Sequence, residues 1–358
     1  MTFTEVILWP FAWLYGALTD WRTNAYRAGR RKSYRLNGTV ISVGNLTVGG
    51  TGKTPMVLWI AQKLLAEGKH VGILTRGYRG ATSASGTSGN DTANDTPSDA
   101  ANAKTSDEVQ MLKARLGDCV RFGVGANRYL QGSRLAADGV DWFVLDDGFQ
   151  HLQLARDVNI VLIDATNPFG GGHLLPAGKL REPVSGLRRA DLVVITRTSN
   201  APGLERAIRQ YTNVPIFYAQ PKLDAIRYVE GGVLGDSIAT NLAGKAFAFC
   251  GIGNPHSFLF TLRDTGVEIV GHRFFPDHHR YRNADAAEIM FAARSAGATA
   301  LICTEKDLYN LGNGFDGSID LLCATISMTI EHEDEFWHQI VSIANAKDPQ
   351  DSVGQAAT

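Results

Sequence analysis

Between Thr39 and Pro55 a short apolar run, Thr39 to Val43, gives way to Asn45-Leu46-Thr47-Val48-Gly49-Gly50-Thr51-Gly52-Lys53-Thr54-Pro55, after which the apolar spacing turns helical. A glycine-rich turn from strand to helix aims bare backbone N–H groups and the positive end of the helix dipole at one spot, which suits a polyphosphate. Gly49, Gly50, Thr51 and Gly52 form the cradle. Lys53 is then set to reach the β- and γ-phosphates, and the Thr54 hydroxyl to bind the Mg²⁺ that bridges them. Position 47, where G-x-x-x-x-G-K-[ST] has its first glycine, holds Thr47. The pattern implies a P-loop that takes a nucleoside triphosphate such as ATP.

The 358 residues are enough for two domains with cores of their own, and 44% hydrophobic with 20% charged residues is ordinary globular composition. A net charge of −1 argues against a general nucleic-acid binder. Cys119, Cys250, Cys303 and Cys323 lie far apart, in or beside apolar runs and without a metal-binding spacing, as expected of small buried core residues in a reducing cytosol.

Near the N-terminus, Val6 to Leu18 is apolar or neutral and contains Pro10. It is shorter than the ~18–20 residues that span a bilayer, and its positive charges follow it instead of preceding it as in a secretory signal. Trp9, Trp13 and Trp21 fall within about a third of a helical circumference. Arg22, Arg27, Arg30, Arg31, Lys32 and Arg35 come next. Aromatic residues beside a basic cluster suit the headgroups of an anionic leaflet, although packing on the protein's own core explains the same pattern.

Further along, apolar runs at 71–75, 120–124, 142–145, 160–164, 192–196 and 215–219 alternate with helical patterns at 56–67, 107–116, 127–138 and 204–211. Such alternation predicts a parallel sheet covered by helices, with the site at the strand C-termini. Residues 81–105 are nearly all small and polar, which predicts a flexible insertion. Two short β stretches around 217–219 and 225–229 read as a ribbon, and a second α/β pattern follows: strands at 246–250, 267–275 and 300–303, helices at 255–264 and 284–296. Gly251-Ile252-Gly253 does not complete a dinucleotide motif, because position 256 is His256, and reads as a tight strand-to-helix turn. The expected division is 1–35 N-terminal segment, 36–216 P-loop domain, 217–235 ribbon, 236–345 second domain and 346–358 frayed tail.

Trp142 to Leu145 is an apolar strand that ends in Asp146 and Asp147, the pattern of a Walker B element that holds Mg²⁺. Thr75-Arg76-Gly77-Tyr78-Arg79-Gly80, Gly125-Ala126-Asn127-Arg128 and Lys179-Leu180-Arg181-Glu182-Pro183 put arginines on loops after strands, where they suit phosphate or sugar contacts. Ser106 precedes Asp107 and Glu108 as a helix cap would, and on the residues alone Asp107 reads first as a dipole-compensating acid.

In this order VGNLTVGGTGKTP, RGYRG, SDE, VGANR, LDDGFQH, GGGHLLPAGKLREP and FPDHHRY resemble the tetraacyldisaccharide 4′-kinases, from the N-terminal helix to about Leu311. Thr47 fits that family; Val109 stands where it usually has Pro. The resemblance implies a P-loop α/β/α sandwich and a second, smaller α/β/α domain joined by a short β-ribbon, with ATP between them, and an N-terminal amphipathic, membrane-associated helix. It implies transfer of phosphate from MgATP to the 4′-hydroxyl of tetraacyldisaccharide 1-phosphate at the cytoplasmic face of the inner membrane, giving lipid IVA. Asp107 becomes the general base and His278 its partner, with Lys53 on the phosphates. Tyr78, Arg128 and Arg181 become substrate- or phosphate-side residues, and Glu182 joins Asp146, Asp147 and Thr54 near the metal. The implied partners are the acylated disaccharide and an anionic membrane surface, with no nucleic acid and no obligate protein partner. A membrane-associated P-loop switch ATPase with a protein partner accounts for the P-loop, the Walker B acids and the first helix equally well. It gives no use to Asp277, His278 and His279.

Overall fold

The computed structural model describes residues 3–77, 106–230, 232–238 and 244–347. Tyr78, the expected insertion at 81–105 and the tail beyond 347 lie outside the described residues. The first half contains α1 (Phe3–Arg27), β1 (Thr39–Asn45), α2 (Lys53–Ala66), β2 (Val71–Thr75), α3 (Asp107–Leu116), β3 (Val120–Val124), α4 (Arg128–Ala137), β4 (Trp142–Asp146), β5 (Val158–Asp164), β6 (Leu192–Thr196) and α5 (Pro202–Arg209). Its strands lie parallel in the order β3-β2-β4-β1-β5-β6. Parallel strands covered on both faces must be apolar throughout, and β1 is buried from Val40 to Asn45. Met56, Val57, Ile60, Ala61 and Leu64 of α2 close over it, which fixes the P-loop at the C-terminal end of the central strand.

The second half begins on β7 (Ile216–Glu230) and β8 (Val233–Ile238), then runs through β9 (Lys245–Cys250), α6 (Pro255–Asp264), β10 (Glu268–Phe274), α7 (Asn283–Ser295), β11 (Ala300–Thr304), α8 (Glu305–Leu308), β12 (Asp320–Ile330) and α9 (Glu333–Ala346). Strands β10-β9-β11-β12 are parallel. β12 then pairs antiparallel with β7, and β7 pairs parallel with β6, so one sheet runs through both halves with β8 hung on β7.

Two expectations are corrected. The pair of short stretches after 216 is one strand of 15 residues: Phe217, Ala219, Leu223 and Ile226 are buried along it, and Pro221 is accommodated opposite Met328. Local polarity suggested a break, but the long partner β12 supplies the ladder. The last stretch also does not stay with the second half. α9 returns to the first core, where the Phe336 ring lies 4.9 Å from Phe217 and 5.5 Å from Trp59. The second core is separate, built from residues such as Ala248, Phe258, Leu262 and Ile302, with Phe249, Ile289 and Leu301 on its other face.

Helix α1 has two working faces. Ala12 and Ala25 are buried, and Gly16 lies so close to Leu174 that a Cβ would meet its Cδ1 at 2.6 Å. Turned away from that face, Trp9, Phe11, Trp13, Leu14, Leu18 and Trp21 are each more than half exposed, Trp13 at 68%. Among the described residues no helix is long and apolar enough to cross a membrane.

Candidate active site

The P-loop turn is shaped by backbone conformations that favour glycine: Gly49 has φ 117° and Gly52, the N-cap of α2, φ 90°. Gly52 has no side chain to cap the helix, which leaves the first-turn N–H groups facing the turn. Thr196 donates its hydroxyl to Thr51 O at 3.2 Å, and the buried Asn45 Nδ2 and Thr51 Oγ1 have no hydrogen-bond partner among the described residues. Orphaned polar atoms beside an anion cradle fit a site built for a polar ligand. The turn opens on a cavity of about 900 Å³, lined also by Asp146, Arg128, Arg181, His278 and Lys306.

Lys53 reaches back to Asn45 Oδ1 at 3.3 Å and Asp147 Oδ1 at 3.5 Å. Asp147 follows β4 with φ 51°, which turns its carboxylate onto Arg181, whose guanidinium donates to both oxygens at 2.7 and 2.8 Å. Burial pushes that carboxyl up, and Lys53 and Arg181 more than reverse this, holding it below the usual range. Arg181 reaches Asp147 because its loop is stitched to the P-loop approach: Arg181 N donates to Leu46 O and Val48 N to Lys179 O, each at 2.8 Å.

Asp146 is buried and held by Thr75 Oγ1 at 3.4 Å. Burial together with the negative charges of Glu108 and Asp147 raises its pKa to about 7. Thr54 Oγ1 donates to Glu108 Oε1 at 3.4 Å, and Lys306 Nζ donates to the same oxygen at 2.6 Å. Glu182 lines the same cavity, with each carboxylate oxygen holding a protein donor: Gln150 at 2.7 Å on one and Arg189 at 2.6 Å on the other.

Asp107 is the first residue of α3, and its cap is Ser106, whose hydroxyl accepts from Val109 N at 3.4 Å. A proline at 109 lacks that N–H, so the valine adds a capping bond and leaves the carboxylate in place. Asp107 is nevertheless more than a capping acid. It is buried, accepts from Glu108 N at 2.9 Å and Asn310 Nδ2 at 3.2 Å, and meets His278 Nδ1 at 2.9 Å across the boundary between the two halves. Burial pushes the Asp107 carboxyl up; the bond to His278 and the charge of Lys306 bring it below the usual range. His278 shifts the other way, raised by its hydrogen bond to Asp107 against the opposing effect of burial. Its neighbour His279 faces Asp285 at 3.1 Å instead.

Arg128, at the start of α4, is buried, donates to Ala126 O at 3.1 Å and lines the cavity. His151 lies near it, driven down to about 4 by burial and by Arg128, Arg156, Arg22 and Arg76, and is therefore neutral at pH 7. Residues that the sequence did not single out complete the site. Arg197, with φ 68°, donates to the P-loop carbonyl of Gly50 at 2.6 Å and to Ser257 Oγ at 2.9 Å, and pairs with Asp164. The Gly251-Ile252-Gly253 turn packs so close that a Cβ on Gly253 would meet Gly50 N at 2.3 Å. Lys306 and Asn310 come from beyond β11, more than 190 residues from the acids they bind. No local pattern signals such pairings. The strand-end position of Thr304-Glu305-Lys306-Asp307 was the available hint.

A largely parallel α/β sheet with a glycine-rich phosphate turn at its central strand, and an acid-bound histidine lining the cavity onto which that turn opens, defines a P-loop nucleotide-binding protein equipped for proton transfer. The family model for LpxK, tetraacyldisaccharide-1-P 4′-kinase, matches residues 4–345, and the chain belongs to that family. It is 41% identical over 302 residues to the tetraacyldisaccharide 4′-kinase of Geobacter metallireducens, covering 83% of this chain and 86% of that one. It is 36% identical to that of Syntrophus aciditrophicus over 94% of this chain and 92% of the relative. The crystal structure of an "apo" form of LpxK from Aquifex aeolicus in complex with ATP superposes with a TM-score of 0.68 at 28% identity, covering 95% of this chain and 99% of that one.

Proposed function

We propose that this protein transfers the γ-phosphoryl group of ATP to the 4′-hydroxyl of tetraacyldisaccharide 1-phosphate, giving lipid IVA. The observation that carries the reading is the 2.9 Å contact between Asp107 and His278, the histidine lining the cavity that also holds the P-loop. A switch ATPase has no need of an acid–histidine pair assembled from both halves.

A sugar hydroxyl is a weak nucleophile, and a base that takes its proton as the P–O bond forms lowers the barrier. Asp107 accepts that proton, and His278 orients the carboxylate and shares the charge. Lys53, Arg128 and Arg181 face the phosphates and absorb developing negative charge. Asp147 holds Lys53 and Arg181 in register until phosphate arrives. Thr54, Asp146 and Asp147 are the residues that would hold Mg²⁺. Among the described residues no three His, Cys, Asp or Glu side chains form a metal cage by themselves, which agrees with an ion that arrives on a triphosphate and keeps several waters. The crowding that lifts Asp146 to about 7 is the kind of excess negative charge a divalent cation relieves. When bound, Mg²⁺ neutralises charge on the β- and γ-phosphates. Glu182 is read as a brace for Gln150, not as a metal donor.

The same reading gives the two faces of α1 separate tasks: the small residues seat it on the protein, and the exposed tryptophans with the basic segment to Arg35 meet the anionic cytoplasmic face of the inner membrane. It divides the chain into a first unit around the P-loop that includes α9, and a second unit around β9–β11, joined by β7 and β12. The test is radiolabelled ATP incubated with and without the acylated disaccharide. Label on the lipid supports the kinase; label released only as free phosphate supports the switch.

A further inference from the structure

Asp307 lies one residue beyond Lys306 in the short helix α8, is 1% exposed, and is not needed by the mechanism above. Its carboxylate collects four hydrogen bonds. Oδ1 accepts from Gly251 N and from Tyr281 Oη, both at 2.7 Å; Oδ2 accepts from Thr304 Oγ1 at 2.5 Å and Thr304 N at 3.2 Å. Burial and the nearby Asp307 push the Tyr281 phenol well above its ordinary pKa, so it is a neutral donor.

Two of these partners border the segment that carries His278. Gly251 O accepts from His278 N at 3.0 Å, and Tyr281 closes the same segment three residues later. His278 itself has φ 60°, a left-handed conformation that a non-glycine residue keeps only where its surroundings enforce it. On the other side, Asn310 N donates to Asp307 O at 2.8 Å, and the Asn310 side chain donates to Asp107. One buried residue therefore stands between the two partners: its carboxylate holds the backbone turn and the tyrosine beside the histidine, and its main-chain carbonyl holds the residue that steadies the acid.

We propose that Asp307 is a positioning residue whose carboxylate holds His278 against Asp107, acting through the Gly251 turn and Tyr281. The proposal rests on the kinase reading only for its activity readout. Asn at 307 is the sharp test: whichever way its amide turns, the NH₂ meets a backbone N–H, that of Gly251 on one side or Thr304 on the other.

In the full-length protein, Asp307→Asn should lower kcat for lipid phosphorylation by about 10- to 100-fold, as for other groups that orient a reacting side chain, with the KM for ATP unchanged. In a His278→Ala background the same change should cost less than about threefold, because the residue it orients is gone. An equal loss in both backgrounds would show general damage and overturn the proposal. The second readout needs no turnover: NMR titration of the His278 ring, whose charged neighbours are Asp107, Asp277 and Lys306. Asp307→Asn should bring its pKa down toward the ordinary histidine value as the contact with Asp107 loosens; an unchanged titration overturns the positioning role. If the wild-type protein labels no lipid, the kinase reading fails while this titration still decides the role of Asp307. Should Asp307→Asn not fold, Tyr281→Phe removes one of the four donors and keeps the carboxylate. It should move kcat and the titration the same way by less, and no movement in either overturns the proposal.

Discussion

Asp107 and His278 shift each other in opposite directions, and this makes their partnership measurable. Asp107 is held below the usual carboxylate range, so its contribution to stability is present above its unfolded pKa and is lost as pH falls through the folded one. His278 is raised, so its contribution is full below the unfolded value of about 6.5 and is lost as pH rises through the folded pKa. A protonated His278 has no free ring nitrogen to take a further proton from Asp107. We therefore expect kcat to rise with pH along a limb above the ordinary histidine range, and Asp107→Ala to bring the ring titration of His278 down. Each single change, Asp107→Ala or His278→Ala, should cost roughly 10²–10⁴ in kcat, and the double variant little more than the worse of the two. Multiplied losses would mean independent roles. Lys53→Ala should nearly abolish turnover with unchanged circular dichroism, because the Lys53 ammonium at the start of α2 lines the cavity and belongs to no hydrophobic core; retained activity would refute its place on the phosphates.

Helix α1 shows how one element can be amphipathic twice. Its small residues let it lie close against Leu174, while its aromatic residues remain outside. If Trp9, Trp13 and Trp21 each bury ~100 Å² in a bilayer at ~25 cal/mol/Å², the three supply up to about 7 kcal/mol before ordering costs. Replacing them together with Ser should abolish flotation with anionic liposomes and raise the KM for membrane-embedded lipid, with the melting temperature unchanged because these rings do not serve the core. Loss of thermal stability without loss of flotation would show that the helix only packs inward. The start of α3 argues the same way on a smaller scale. Ser106→Ala removes a cap worth about 1 kcal/mol, and because Asp107 is the next residue, kcat should fall while the KM for ATP holds.

At the scale of the molecule, β7 and β12 run through both halves, and α9 returns to the first core after the second is complete. The halves should therefore unfold together despite having separate cores. Phe336→Ala in the first core and Phe258→Ala in the second should each cost about 3–5 kcal/mol and lower one shared calorimetric transition. Two transitions, with each variant moving only one, would make the halves independent and the shared sheet a hinge without coupling. Arg197 reinforces the connection at the site itself, since one guanidinium holds the P-loop carbonyl of Gly50, Asp164 of β5 and Ser257 of α6.

The sequence by itself determined the parts whose information is local. Hydrophobic period and glycine placement marked β1, the P-loop and α2, and Trp142 to Asp147 marked a strand that ends in acids. The pairing of Asp107 with His278 came only from the family resemblance that the ordered motifs carry; on the residues alone Asp107 reads as a capping acid. What lay beyond reach was set by contacts between distant segments: β7 as one strand, because its ladder comes from β12; α9 on the first core, because Phe336 finds Trp59 and Phe217 there; and Glu182 bonded to Arg189 and Gln150. The two-faced α1 belongs here as well, since a sequence shows which residues are apolar but not which of them another segment will cover. Local backbone chemistry is written in neighbouring residues. Pairings such as Lys306 with Glu108, or Asp307 with Gly251, exist only once the sheet has brought the two halves together.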